Sequence, residues 1–207
     1  MRQFAARSAV NPGRLVIALM TGCLIGWGAP EAGTWEIRSE DPSGERFRVT
    51  VTPAEPVREA GPGGMAVSFP GPSAGRQAGA PDLGCLVQTI PGRPGFHAVI
   101  RVIETESRDE PGRNVIPAEI TRRVYADDNV YRSEKVRQPD PAIYADDAFW
   151  PPTLMRLDEA WMGTNKYVRL VCWPAQYNPV KRVLRVHTRI TGELCFVREG
   201  ETRRGIK

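Results

Sequence analysis

Hydrophobic and polar residues alternate along several short stretches of the chain. Between residues 46 and 52, Phe47, Val49 and Val51 are separated by polar side chains, a period of two that indicates a strand with one buried face. Similar runs, bounded by turn-forming residues, predict strands at 34–38, 46–52, 65–69, 86–90, 96–106, 166–173, 182–190 and 194–198. The pattern predicts an all-β fold, an antiparallel β-sandwich with a long irregular loop excursion and few or no long helices.

The clearest alternation follows a polar turn in the segment PAQYNPVKRVLRVHTRI, residues 174–190. Asn178-Pro179 is a typical turn pair, so we expect a hairpin whose two strands flank it. In the second strand, the face predicted to pack in the core consists of Leu184, Val186, Thr188 and Ile190. The opposite, wetter face consists of Val183, Arg185, His187 and Arg189.

Residues 107–165 lose this regularity and become rich in Asp, Arg and Pro. Within them, residues 121–152 are predicted to form the long irregular excursion. Loops of this length are uncommon inside a compact domain and often carry function. The excursion contains the sequence YADD twice, at 125–128 and 144–147, and five basic residues, Arg122, Arg123, Arg132, Lys135 and Arg137.

The composition supports a globular domain that is rich in strands. Of the 207 residues 41% are hydrophobic, and the 19 Pro and 20 Gly argue against long helices. The formal net charge of +4 falls to +2 once the three arginines and one glutamate of residues 1–33 are set aside. No basic stripe with interleaved aromatic residues is present, so we do not expect binding to nucleic acid.

Residues 1–33 have the pattern of an export signal. Three arginines precede the apolar stretch Leu15–Ala29, which has the length of a signal-peptide core and is short for a membrane span. Cys23, in the sequence LMTGC, allows a second interpretation as the acylated cysteine of a lipoprotein. We expect an exported protein, extracellular, periplasmic or on the cell surface, without membrane contact in its mature form unless Cys23 is lipidated. The folded domain is predicted at 34–198 and a flexible basic tail at 199–207.

No arrangement of residues in the sequence predicts catalysis, a cofactor or a firm metal site. The two histidines, His97 and His187, lie in predicted strands, and no Cys-x-x-Cys or His/Cys cluster occurs. Four acidic residues could supply oxygen ligands for calcium, although solvated turn caps are the preferred interpretation: Asp127, Asp128, Asp146 and Asp147. Three cysteines are expected to be small buried side chains, with one disulfide left open: Cys85, Cys172 and Cys195.

Two segments of the last third resemble the gingipain propeptide family, the N-terminal prodomains of gingipain-type cysteine peptidases. One is YADDAFWP, residues 144–151, and the other is the hairpin PAQYNPVKRVLRVHTRI. The hairpin positions that match the family motif are Pro174, Gln176, Tyr177, Asn178, Pro179, Leu184, Val186 and Ile190. Upstream, Gly79, Pro81 and Leu83 match a Gly-x-Pro-x-Leu-Pro segment, in which Gly84 replaces the last proline. The resemblance spans residues 60–198.

This resemblance implies an antiparallel sandwich that covers the active-site cleft of a gingipain-type catalytic domain, keeps it latent and assists its folding. In the family, a basic side chain from an irregular loop occupies the substrate pocket, as a guanidinium can by paired hydrogen bonds. The order of the chain places Arg122 or Arg123 nearest that position, with Arg132 and Arg137 as further candidates. Because the sequence ends at Lys207 without a catalytic domain, we expect a truncated gene or a prodomain acting in trans, and not an enzyme.

Two other functions are compatible with the sequence. The first is an exported adhesion or carbohydrate-binding sandwich, which would need exposed aromatic residues such as Trp150, Trp161 and Trp173 on one flat face. The second is peptidase activity of the chain itself through one of its cysteines. That activity would need a histidine placed to activate the thiol, and both histidines lie in predicted strands.

Overall fold

The structure, a computed structural model, describes residues 33–74, 76–125 and 131–200. Strands dominate this part of the chain, and its one helix is a single turn. The elements in chain order are β1 Thr34–Ser39, β2 Arg46–Thr52, β3 Val57–Gly61, β4 Gly64–Ser68, β5 Leu86–Pro91, β6 Phe96–Pro111, β7 Ile120–Tyr125, β8 Tyr131–Val136, α1 Pro141–Tyr144, β9 Met155–Met162, β10 Asn165–Cys172, β11 Ala175–Asn178 and β12 Val183–Arg198.

The strands form two main antiparallel sheets. The larger one has five strands and is organised around β12, which pairs with β11 through its first half and with β2 through its second half. β6 runs along the other edge of β12, and β1 completes the sheet beside β2. The smaller sheet has the order β5-β10-β9. Two separate pairs, β3-β4 and β7-β8, stand outside both sheets.

The apolar faces of the two main sheets meet in one core. Val51, Ile190 and Leu194 from the larger sheet share this core with Leu86 and Val168 from the smaller one, and all are at most 2% exposed. Burying a side chain of this size stabilises the fold by about 1.5–3 kcal/mol relative to leaving it in water. The all-β antiparallel fold is therefore confirmed, and the alternating positions of β2 and β12 supply its centre.

One interruption of the alternation in β12 changes the predicted faces. The pairing of β12 with β6 shifts register between His187 and Arg189, and again between Thr191 and Gly192. The prediction that Thr188 faces the core is wrong, because the first shift leaves Thr188 exposed and buries His187. At the second shift, a Cβ on Gly192 would lie 2.8 Å from the sulfur of Met155 in the other sheet, so glycine allows the two sheets to approach there.

The excursion at 121–152 is more regular than the sequence indicates. It contains most of the β7-β8 pair and the single turn of α1. The charged segment that follows residue 106 continues β6 as far as Pro111, and β9 covers a stretch without clear alternation. Beyond Ile100, β6 has no buried residue, and β9 has only Met155. Neither strand therefore shows the alternation on which the sequence prediction depends.

Candidate functional site: the β7-β8 hairpin and its base

The β7-β8 hairpin carries three of the four candidate pocket residues. Arg122 and Arg123 lie in β7, and Arg132 lies in β8. The backbone register places Arg123 opposite Ser133 and Val124 opposite Arg132. The hairpin forms a sheet of its own, and residues 133–139, which complete β8 and leave it, are all exposed. Three arginines are therefore grouped on an element that is not part of either main sheet.

Arg137, the fourth candidate, lies at the base of the hairpin. Its Nη1 is 3.1 Å from Oδ2 of Asp82 and donates to the carbonyl oxygen of Pro117 at 3.0 Å. Asp82 is 1% exposed, and its Oδ1 lies 2.6 Å from Nη1 of Arg76. The structure thus separates Arg137 from the other three candidates and engages its side chain with the body of the domain.

The hairpin base rests on the segment that matches the Gly-x-Pro-x-Leu pattern. The amide of Ala118 donates to the carbonyl oxygen of Ala80 at 2.7 Å, and the amide of Asp140 donates to that of Gly79 at 2.9 Å. Gly79 has a φ of 76°, and a Cβ there would lie 3.1 Å from the carbonyl oxygen of Gln138. Glycine suits this position because of its left-handed backbone and the close approach of the chain that leaves the hairpin.

The family-motif residues of β11 hold the far end of the excursion. The backbones of Tyr177 and Trp150 exchange two hydrogen bonds of 2.8 and 2.9 Å. Gln176 Nε2 donates to the carbonyl oxygen of Pro151 at 2.7 Å, and Asn178 Nδ2 donates to Oδ1 of Asp147 at 2.9 Å. The segment 147–151 is therefore fixed to the edge of the larger sheet by three consecutive residues of β11.

The segment that leads into the excursion, residues 113–115, is held by two tyrosine hydroxyls. The hydroxyl of Tyr177, which is 1% exposed, donates to the carbonyl oxygen of Arg113 at 3.2 Å. The hydroxyl of Tyr144 donates to the carbonyl oxygen of Val115 at 3.0 Å. Burial raises the pKa of both phenols, so both are protonated donors at neutral pH. Tyr177 thus contacts both the segment that leads into the excursion and the segment that ends it, and the hairpin has a fixed base.

His187 lies behind the same motif as a neutral imidazole. Because the amide nitrogen of Gln176 donates to Pro151, its Oε1 faces His187 Nε2 at 3.1 Å and requires a proton on that nitrogen. His187 Nδ1 is buried without a hydrogen-bond partner among the described residues. Burial, and then the nearby Arg185 guanidinium, lower the pKa of His187 to about 4, although Asp109 acts in the opposite direction.

Acidification is expected to destabilise the domain through His187. The unfolded chain protonates this imidazole near pH 6.5, whereas the folded chain does so only near pH 4, so stability falls as the pH drops through that window. The loss reaches about 3 kcal/mol at pH 4. Urea unfolding near pH 7 and near pH 4 should show a smaller loss of stability on acidification in His187→Gln than in the wild type. An unchanged pH dependence in His187→Gln would contradict this assignment.

The acidic candidates for calcium divide into two groups. Asp127 and Asp128 lie outside the described residues. Asp146 is exposed, and Asp147 bonds to Asn178 and lies 3.0 Å from the ammonium group of Lys181. These two partners lower the pKa of Asp147. Among the residues that the structure describes, no cluster of three or more ligand side chains occurs, and Asp147 acts as an anchor for the hairpin turn.

The cysteines of the described chain are not arranged as nucleophiles. Cys85 and Cys172 are buried and Cys195 is partly buried, and none of the three forms a disulfide. Burial raises the pKa of both Cys172 and Cys195. A raised pKa disfavours the thiolate, which is the reactive form. Cys85 and Cys172 are buried, as expected from the sequence, whereas Cys195 is only partly buried.

The three tryptophans Trp150, Trp161 and Trp173 do not assemble a flat aromatic surface. Trp161 is 56% exposed and its ring centroid lies 5.9 Å from Nζ of Lys166, whereas the Trp173 ring lies 5.4 Å from the guanidinium of Arg156. Arg156 and Trp161 are five positions apart in β9, so they face opposite sides of the sheet. Trp150 is only partly exposed and docked against β11. The adhesion or carbohydrate-binding alternative therefore gains no platform from these three residues.

The predicted export signal and the lipidation candidate Cys23 lie outside the described residues. Within the described part of the chain, no helix has the length and apolar character needed to cross a membrane.

The fold and the site together define an all-β sandwich that presents an arginine-bearing hairpin on a hydrogen-bonded base. The family model described as Propeptide_C25 matches residues 47–206, and the chain belongs to this propeptide family. It is a family of prodomains and not of catalytic domains, so the chain is not itself an enzyme. No match was found among the curated proteins.

Two solved structures share the fold. One is a chain from the complex of the RgpB pro- and mature domains of Porphyromonas gingivalis, with 17% identity and a TM-score of 0.61, covering 79% of this chain and 85% of that one. The other comes from a study of the zymogenic latency of gingipain K from Porphyromonas gingivalis. It has 19% identity and a TM-score of 0.59, and the match covers 80% of this chain and 93% of that one. At these identities the similarity establishes a common fold.

Proposed function

We propose that this domain masks the active site of a secreted gingipain-type cysteine peptidase and assists the folding of that peptidase. Membership of the propeptide family supports the general role. The peptidase as partner is supported by the similar fold in a complex of pro- and mature domains. Export from the cytoplasm, which the pattern of residues 1–33 predicts, fits the same role.

The observation that carries the proposal is the β7-β8 hairpin. It bears Arg122, Arg123 and Arg132, it belongs to neither main sheet, and its base is hydrogen-bonded to the body of the domain. A guanidinium is always charged and forms paired hydrogen bonds with a carboxylate, so it suits an acidic substrate pocket. An element that is ordered before binding also loses less entropy when it docks.

Masking is tested by adding the purified chain to a gingipain-type peptidase. We expect cleavage of a short substrate with a basic residue before the scissile bond to slow at micromolar or lower concentrations of the chain. The matched control is Arg169→Gln, which breaks a surface ion pair with Asp158 on the smaller sheet and should inhibit as the wild type does. If about 10 μM chain does not slow cleavage, the free energy of binding is smaller than about 7 kcal/mol. That result would contradict the proposal.

A further inference from the structure

We propose that Asp82 and Arg137 form a clasp that fixes the direction of the β7-β8 hairpin, and that Arg137 is a positioning residue and does not enter the substrate pocket. This inference rests on the proposed function for its consequence, since the hairpin is the element expected to reach the peptidase. The clasp itself is a property of the chain alone and can be measured without a peptidase.

The clasp joins the hairpin to a buried carboxylate. The Asp82 side chain is 1% exposed, and burying a carboxylate costs free energy unless cationic side chains pair with it. The backbone of Asp82 is fixed below the hairpin by two hydrogen bonds. The amide of Asp82 donates to the carbonyl oxygen of Ile116 at 2.8 Å, and the carbonyl oxygen of Asp82 accepts from the amide of Val67 at 2.9 Å. The carboxylate is thus a fixed point from which the hairpin can be held.

Arg137 connects this fixed point to both legs of the hairpin. It follows β8 directly, so it belongs to the outgoing leg, and its Nη1 donates to Pro117 on the incoming leg. Its Nη2 also lies 3.9 Å from Oε2 of Glu119, which pairs with Lys135 at 3.0 Å across the two legs. One guanidinium at the exit from β8 therefore contacts both the buried carboxylate and the entry to β7.

Arg76 provides an internal comparison. It lies 2.6 Å from the other oxygen of the same carboxylate, and its side chain is 44% exposed against 40% for Arg137. The ion pairs and hydrogen bonds of Arg76 in the described structure do not include either leg of the hairpin. Losing either arginine removes one partner of Asp82, but only the loss of Arg137 also releases the hairpin legs.

The first arm of the test measures the clasp without a peptidase. Hydrogen exchange of the backbone amides in β7 and β8 is compared in wild type, Arg137→Gln, Arg76→Gln and Arg137→Lys, with thermal unfolding recorded for each. We expect exchange in the hairpin to accelerate about tenfold in Arg137→Gln relative to Arg76→Gln at a similar melting temperature, with partial recovery in Arg137→Lys. Equal exchange in Arg137→Gln and Arg76→Gln would overturn the clasp.

The second arm measures inhibition of a gingipain-type peptidase by the same variants. Arg137→Gln is expected to raise the inhibition constant about tenfold and Arg76→Gln about twofold or less. If Arg137→Gln raises the inhibition constant 100-fold or more while hydrogen exchange in the hairpin is unchanged, Arg137 is the pocket residue and the inference is overturned. If wild type itself fails to inhibit, the proposed function is wrong, while the exchange arm still decides whether the clasp exists.

Discussion

Replacing Arg122, Arg123 and Arg132 together with glutamine is expected to weaken inhibition of a gingipain-type peptidase by about 100-fold. A charged side chain buried in a complementary pocket is the kind of interface residue whose loss costs about 2–4 kcal/mol. The three residues lie in a hairpin outside the two main sheets, so the melting temperature should change little. The measurement is the inhibition constant of the triple variant beside its thermal unfolding curve.

Single substitutions assign the effect to one arginine. If one residue enters the pocket, one of the three glutamine variants should account for most of the loss, and the other two should lie within about fivefold of wild type. The matched lysine variants keep the charge and lose the paired hydrogen bonds of the guanidinium, so they report whether the pocket requires arginine. A triple variant that inhibits as well as wild type would show that the hairpin is not the inhibitory element.

Replacing Tyr177 with alanine is expected to destabilise the domain by about 3–5 kcal/mol. The side chain is 1% exposed and belongs to the shared core of the two sheets, and truncating a buried aromatic residue leaves a cavity of this cost. The change also removes the hydroxyl that donates to Arg113 in the segment leading into the excursion. Urea unfolding followed by circular dichroism measures the difference.

The variant Tyr177→Phe separates the two contributions of this residue. It keeps the packed ring and removes only the hydroxyl, so we expect a loss of about 1 kcal/mol. Faster hydrogen exchange around residues 113–118 should accompany that small loss, because the hydroxyl is their link to β11. A loss below about 1 kcal/mol in Tyr177→Ala would contradict the role of the motif as the anchor of the excursion.

The central strands were predictable because their burial differs between alternate residues. Val49 and Val51 in β2 are fully buried beside exposed or partly exposed neighbours. The sequence shows this contrast as an alternation of hydrophobic and polar residues. The charged end of β6 has no such contrast, since residues 101–109 are all exposed. Its strand conformation comes from pairing with β12, a tertiary interaction that alternation cannot reveal.

The candidate site was only partly accessible to sequence reasoning. The order of segments along the chain indicated Arg122 and Arg123 as the first candidates for the pocket residue. The structure groups them with Arg132 in one hairpin. The same reasoning could not separate Arg137, because its buried partner Asp82 lies 55 residues away. Asp82 itself stands in a segment rich in Gly and Pro, where an acidic residue ordinarily indicates a solvated turn.

The family motif acquires a physical meaning from its hydrogen bonds. Asn178 has the character of a turn residue in the sequence, and it does accept from the amide of Lys181 in the turn, while Gln176 and Tyr177 precede it in β11. Their other bonds run to Pro151, Trp150 and Asp147, which close the excursion. The sequence contains both partners, but only the fold shows that they meet.

The pattern of inhibition shows whether this domain occupies the active site of its peptidase. Steady-state rates are measured over a range of substrate concentrations at several fixed concentrations of the chain. If the domain occupies the substrate pocket, inhibition is competitive, with an apparent KM that rises with the concentration of the chain and a kcat that does not change. A kcat that falls while KM stays constant would place the domain away from the substrate pocket and rule out masking of the active site.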